Sequence, residues 1–213
     1  MKLTLLLDIC LVAAMVSLSI GWTLVFHAVK GNGQNVRVAW DNGSIAGCTP
    51  DLGCIPGGFK LENWRNNGKH LRSPLIDQWN SLNIVKIRVV FGGLGKTLAF
   101  LEFDGSGSNK EDWFSKSRLL HSSWSDLKSS SHTNFFSMNG HNADLKRHFF
   151  INKQYGECPN DIGWLVVIDR IPVCPWENKG DYPLFLYSKS LTASNWNHDT
   201  GSADVMNVYI LTI

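Results

Sequence analysis

Leu82 to Phe91 is an apolar run dominated by Ile and Val, and it stops at Gly92-Gly93-Leu94-Gly95. Branching at Cβ leaves these side chains few rotamers in a helix and room in an extended chain, so the run reads as a strand. Thr97 to Phe103 resumes the pattern after the glycines and returns antiparallel, which makes the whole stretch a hairpin. The segment Gly92-Gly93-Leu94-Gly95-Lys96-Thr97 superficially resembles a phosphate-binding loop. Its glycines are too close together, and it leads into a strand where that loop needs a helix.

Further strands are expected at Gly21 to Val29, Phe135 to Met138, His148 to Ile151, Gly163 to Asp169, Leu184 to Tyr187 and Val205 to Ile213. Trp164 to Ile168 is apolar throughout, the mark of a strand buried on both faces. Val36 to Trp40 is a second short run between turns. Ser108 precedes Glu111 by three residues, as in a capping box, and predicts a helix from about Asn109 to Leu120. Residues 43 to 74 hold many Gly and Pro and no periodicity. A loop of that length inside a compact domain is usually functional or pinned down. The expected fold class is α+β and β-rich: a twisted antiparallel sheet, one or two short helices and long disulfide-pinned loops.

The first residues fix the compartment. Lys2 is followed by an apolar stretch through Ile20, with small residues at Ser17 and Ser19. We read 1–19 as a secretory signal peptide and 20–213 as a single extracellular domain. The alternative is a membrane-anchored surface protein that retains the segment, since Ile9 to Phe26 is uncharged. Asp8 interrupts the apolar run and weakens both readings. Cys10 leaves with a cleaved signal, and Cys48, Cys54, Cys158 and Cys174 remain. An even set in a secreted chain implies two disulfides with three possible connectivities. Cys48–Cys54 and Cys158–Cys174 is preferred, because each closes a local loop rich in Gly, Pro and Asp. No C-x-x-C pair suggests zinc. Asn42-Gly43-Ser44 is a glycosylation sequon in a turn, with Asn42 as acceptor.

Charge excludes one class of partner. The net charge is +2, with no basic stripe interleaved with aromatics, so nucleic acid is not expected. Seven histidines are present, but none pairs at metal spacing, and hydrogen-bonded or surface roles are expected for them. Asp104 to Asn109 opens like a calcium loop and then fails, with Asn109 where Gly is needed and Ser115 where Glu is needed. The acidic C-terminal third leaves Asp181, Asp199 and Asp204 as calcium candidates; otherwise no cofactor is expected. A hydrolase would need paired carboxylates at strand ends, for which Glu102, Asp104, Asp169 and Glu177 are the candidates. Nine tryptophans are spread along the chain, and even spacing argues for core packing over sugar stacking.

Several motifs together carry a resemblance. They are Gly21-Trp22-Thr23-Leu24-Val25-Phe26, Asp112-Trp113-Phe114-Ser115, Phe149-Phe150-Ile151-Asn152, Cys158-Pro159-Asn160-Asp161-Ile162-Gly163-Trp164, Cys174-Pro175-Trp176-Glu177 and Gly201-Ser202-Ala203-Asp204-Val205-Met206. The chain resembles a secreted invertebrate domain of the uncharacterised coral skeletal organic matrix type, over residues 21 to 213. That domain is distantly similar to fibrinogen-related and intelectin-like lectin domains, whose full Trp and Gly pattern is absent here. In the resembled type the domain often follows an EGF-like module; the residues before it here show none, and either a truncated start or a single-domain form is expected. The resemblance implies an adhesive or calcified-matrix setting and supplies no catalytic residues. The expected function is therefore a secreted, non-catalytic domain that binds a glycan, a matrix protein or a mineral surface.

Overall fold

The computed structural model describes residues 21–43, 47–60, 68–93, 95–141, 144–170 and 173–213. The leader with Cys10, Trp64, Ser44 of the sequon and Leu94 of the hairpin turn lie outside the described residues.

The chain is β-rich. Its strands are β1 (Trp22–Val29), β2 (Leu71–Arg72), β3 (Ile84–Gly93), β4 (Lys96–Asp104), β5 (Leu119–Ser122), β6 (Phe135–Ser137), β7 (Arg147–Gln154), β8 (Ile162–Ile168), β9 (Leu184–Ser188), β10 (Ser194–Asn195), β11 (Thr200–Ala203) and β12 (Val205–Thr212). They form two antiparallel sheets where the sequence suggested one. The first runs β2-β1-β12-β3-β4-β5, and the second runs β11-β9-β8-β7-β6 with β10 paired to β8. The predicted hairpin is β3 and β4, paired from Lys86 opposite Asp104 to Gly93 opposite Lys96, with a bulge between Phe91 and Gly92.

Alternation sets which face is inside. On β3, Ile87, Val89 and Phe91 are fully buried, while Lys86, Arg88 and Val90 lie between them on the other face. The inner residues meet Phe149, Leu165, Val167 and Phe185 of the second sheet in one shared core. Phe91 and Phe185 touch across it edge to face, with centroids 6.3 Å apart. Strand β8 is buried on both sides. Its other face, Val166 and Ile168, packs under a layer built from Cys174, Trp176 and Trp196. This explains why its sequence shows no alternation.

The Cys158–Cys174 disulfide fastens that layer, with Cα atoms 5.2 Å apart. Beneath it Arg147 is 2% exposed and donates through Nε to Glu177 at 2.8 Å. The guanidinium also lies 4.5 Å from the Trp176 ring centre. Gly163 lets Trp196 approach β8: a Cβ there would stand 2.4 Å from the indole and 2.9 Å from the Ile151 carbonyl oxygen.

Seven of the nine tryptophans are no more than 2% exposed, and Trp22 is half-buried. Trp40 is the hub, with Phe26, Trp113, Trp79 and Phe149 within 5.3 to 6.2 Å. Six of the buried indoles donate to a backbone carbonyl or a polar side chain. Large apolar area with a satisfied N–H is the structural role expected of them.

The helix expected from Asn109 to Leu120 does not form. The Ser108 hydroxyl donates to the Gly105 carbonyl and accepts from Trp79, so it is not a cap. Asn109 Oδ1 instead accepts from the backbone N–H of Glu111 and Asp112, a local alternative to the helix ladder. The neighbours Trp113 and Phe114 are both buried, which consecutive helical positions do not allow on one face. A single 3₁₀ turn, Lys116–Arg118, leads into β5. The one α-helix among the described residues is α1, Val36–Asp41, with Asn35 Oδ1 accepting from Val38 N–H at its start.

Candidate functional site

The open edge of the first sheet begins at β2, only two residues long. Arg72 anchors it: Nε donates to the Trp40 carbonyl at 2.7 Å, and the two terminal nitrogens grip both oxygens of Asp77 at 2.8 and 2.6 Å. A bidentate pair of this kind fixes orientation as well as charge. Against β2 lies the loop 47–60. Its backbone is stitched to Arg72 by Arg72 N–H to Gly53 O at 2.9 Å and Ile55 N–H to Arg72 O at 3.0 Å. The Cys48–Cys54 disulfide, with Cα atoms 5.1 Å apart, closes it. Both disulfides therefore join the expected partners.

The pinned loop separates two clefts. The first, about 360 Å³, opens between the loop and α1. Its polar wall is Gln34, Asn35, Asn42 and Lys69, and its apolar rim is Val38 and Leu52. Those two are exposed at 54% and 52%, among the most exposed large apolar side chains described. The amide orientations follow from internal bonds. Gln34 Oε1 accepts from the His70 N–H at 3.0 Å, and Asn35 Oδ1 accepts from Val38 N–H at 2.8 Å. Their oxygens being used, Nε2 of Gln34 and Nδ2 of Asn35 remain as donors. No carboxylate lines this cleft among the described residues.

His70 forms its floor and is 5% exposed. Nδ1 accepts from Val29 N–H at 3.1 Å and lies 3.0 Å from Asn32 Nδ2, while Nε2 lies 3.0 Å from the Gln34 carbonyl. Two donors aimed at Nδ1 require the neutral ring with its proton on Nε2. Burial lowers its pKa to about 4, against the opposing bond to Gln34.

A second buried histidine fixes α1 from below. Asp169 accepts from the N–H groups of Val36 and Arg37 at 2.9 and 3.3 Å. Its carboxyl stands 3.6 Å from His148 Nε2, and both side chains are buried. Burial raises Asp169 to about 6, although the two N–H bonds oppose it. Burial lowers His148 to about 4. Burial thus pushes each of the two toward its neutral form.

The second cleft, about 740 Å³, lies on the other side of the loop, against β1. Trp22, Leu24, Ile55, Phe59 and Leu75 make it largely apolar, and Lys60 is its only charged lining residue among those described. Arg88 stacks on the Trp22 ring at 4.3 Å from its centre. Arg88 and Lys86 both bond Glu102, at 2.6 and 2.9 Å. Burial works against ionisation of Glu102, but the two cations hold its carboxyl below the usual range.

The remaining candidates fall outside the clefts, apart from Asn42. Asp104 accepts from Ser106 N–H in a turn, and Glu177 pairs with Arg147. With Glu102 and Asp169, neither lines a cleft. Asp204 pairs with Lys30 at 3.1 Å and Asp199 with Lys189 at 3.6 Å, while Asp181 is an exposed loop residue beside Gly31. Among the described residues no group of three His, Cys, Asp or Glu side chains is placed to hold a metal ion. Asn42 caps the end of α1, is exposed and lines the polar cleft. Gln34, Asn35 and Lys69 went unmarked in the sequence, since they sit in turns or irregular chain and converge only through β2; His70 was one of the seven histidines expected to be hydrogen-bonded or at the surface, and it is hydrogen-bonded. No described helix is long and apolar enough to cross a membrane. No protein-family model matches this chain, and neither does any curated protein or solved structure.

Proposed function

We propose that this chain is a secreted, non-catalytic extracellular domain that binds an anionic, acceptor-rich ligand, an acidic matrix glycan foremost, in the cleft between α1 and the Cys48–Cys54 loop. The observation that carries this is the donor set of that cleft. Two amide N–H groups and the Lys69 ammonium line it, and no carboxylate does among the described residues. Hydroxyl, carboxylate and sulfate oxygens are the groups such a wall satisfies, and burying the Gln34 or Asn35 amide nitrogen against an apolar ligand would leave it unmatched. The Lys69 ammonium already donates to the Asp51 carbonyl at 2.6 Å and adds positive charge to the wall. Val38 and Leu52 supply aliphatic surface for the apolar face of a sugar ring. Two disulfides fit an oxidising compartment, and the resemblance to coral matrix domains fits an adhesive setting.

The test is a glycan array probed with the disulfide-bonded protein, once with calcium and once with chelator. Binding to carboxylated or sulfated glycans in both conditions, reduced in Lys69→Glu, is expected. Binding lost in chelator would redirect attention to Asp181, Asp199 and Asp204. Binding to none of these glycans would sink the proposal.

A further inference from the structure

The apolar cleft against β1 differs from the polar one in almost every respect, and it needs its own ligand. Its floor is Leu24 and Ile55, 8% and 4% exposed, and its walls are Trp22, Phe59 and Leu75. A volume of about 740 Å³ falls in the range of small-molecule sites. The lining offers a sugar few hydrogen-bond partners, so a polyhydroxylated ligand would lose more to dehydration than it regained. An alkyl chain loses nothing of the kind and gains with each methylene taken out of water. Charge then selects the head group. Lys60 lies at the rim and is exposed, and no carboxylate lines the cleft among the described residues. The nearby acid, Glu102, is already held by Lys86 and Arg88.

We propose that this cleft binds a free single-chain amphiphile with an anionic head, a long-chain carboxylate, with the chain on Leu24, Ile55 and Phe59 and the head at Lys60. The site is separate from the polar cleft and does not rest on a glycan binding there. The Cys48–Cys54 loop contributes one wall to each, Leu52 to the polar cleft and Phe59 to this one.

The experiment is isothermal titration of the disulfide-bonded protein with dodecanoate below its micellar concentration. Dodecanol and phosphatidylglycerol vesicles are run beside it. Wild type is expected to bind one dodecanoate, with dodecanol roughly tenfold weaker, and Lys60→Glu should erase that difference. Lys60 is exposed, so the variant should fold, and near-ultraviolet circular dichroism checks that it has. Leu75→Asp, which sets a carboxylate in the wall, should weaken both chains. No binding of either chain overturns the proposal. So do equal affinities unaffected at Lys60, which remove the head-group assignment, and binding to vesicles alone, which makes the surface a membrane contact.

Discussion

His70 should make this fold acid-sensitive. In the folded state its ring is neutral and bonded on both nitrogens, and burial lowers its pKa from the ordinary 6.5 to about 4. The unfolded chain takes up the proton near 6.5 and the folded chain only near 4. Stability from this group is therefore complete above the upper value and is lost as pH falls toward the lower one. The difference between 6.5 and about 4 corresponds to about 3 kcal/mol over the whole interval. His148 does not add a comparable loss, because Asp169 beside it is shifted the other way. Folded, that pair holds one proton between about 4 and about 6. Unfolded, it holds one between 3.8 and 6.5, so little net linkage results. The assay is urea denaturation of wild type and His70→Gln at several pH values from about 7.5 down to about 4.5. The wild-type free energy should fall more steeply with acid, the two lines diverging by about 2–3 kcal/mol at the acid end. Parallel lines would refute the assignment of the lowered pKa to His70.

Other consequences are as direct. Glu177→Ala should cost about 3–5 kcal/mol in thermal or chemical melts, since it strands the buried Arg147; a loss below about 1 kcal/mol would mean that water reaches the guanidinium. Gly163→Ala should destabilise by about 1–3 kcal/mol, measured the same way, because the new methyl meets the Trp196 indole and the Ile151 carbonyl. The double variant Cys48→Ser/Cys54→Ser should keep both sheets by far-ultraviolet circular dichroism and yet lose ligand binding in both clefts, since the loop walls each of them. Asn42→Gln, expressed through a secretory pathway, should shed one glycan by mass spectrometry and bind acidic glycans more tightly, because Asn42 lines the polar cleft.

The long strands were legible because their residues carry a local signal. Val, Ile and Phe in β1, β3, β8 and β12 prefer extended backbone wherever they pack. The disulfide partners were legible too, since each ring is short. The helix after Ser108 was misread because hydrogen-bond competition by Asn109 is as local as a capping box and uses the same residue types. Strands β2 and β10, two residues each, carry no periodicity of their own; their partners β1 and β8 create them. The division into two sheets was hidden for a related reason, since alternation reveals which face is buried but not what covers it. The clefts were least legible of all. Gln34, Asn35 and Lys69 are ordinary turn residues until β2 brings the segments together, and the Arg72–Asp77 grip that positions β2 looks in sequence like any exposed pair.

Strand β1 pairs with β12 from Trp22 opposite Leu211 to Val29 opposite Val205, and β12 also pairs with β3. The strand that joins the two halves of the first sheet is thus the last of the twelve to be synthesised. Until Val205–Thr212 arrives, β1 and β3 each present an unsatisfied, largely apolar edge, the kind of surface that recruits other chains. A message with a stop codon before Val205 would not yield a smaller folded domain. It would yield a chain with two sticky edges, and its fate would be capture by chaperones or aggregation. Closing so distant a pair is also slow, so both edges stay uncovered for the whole of that search.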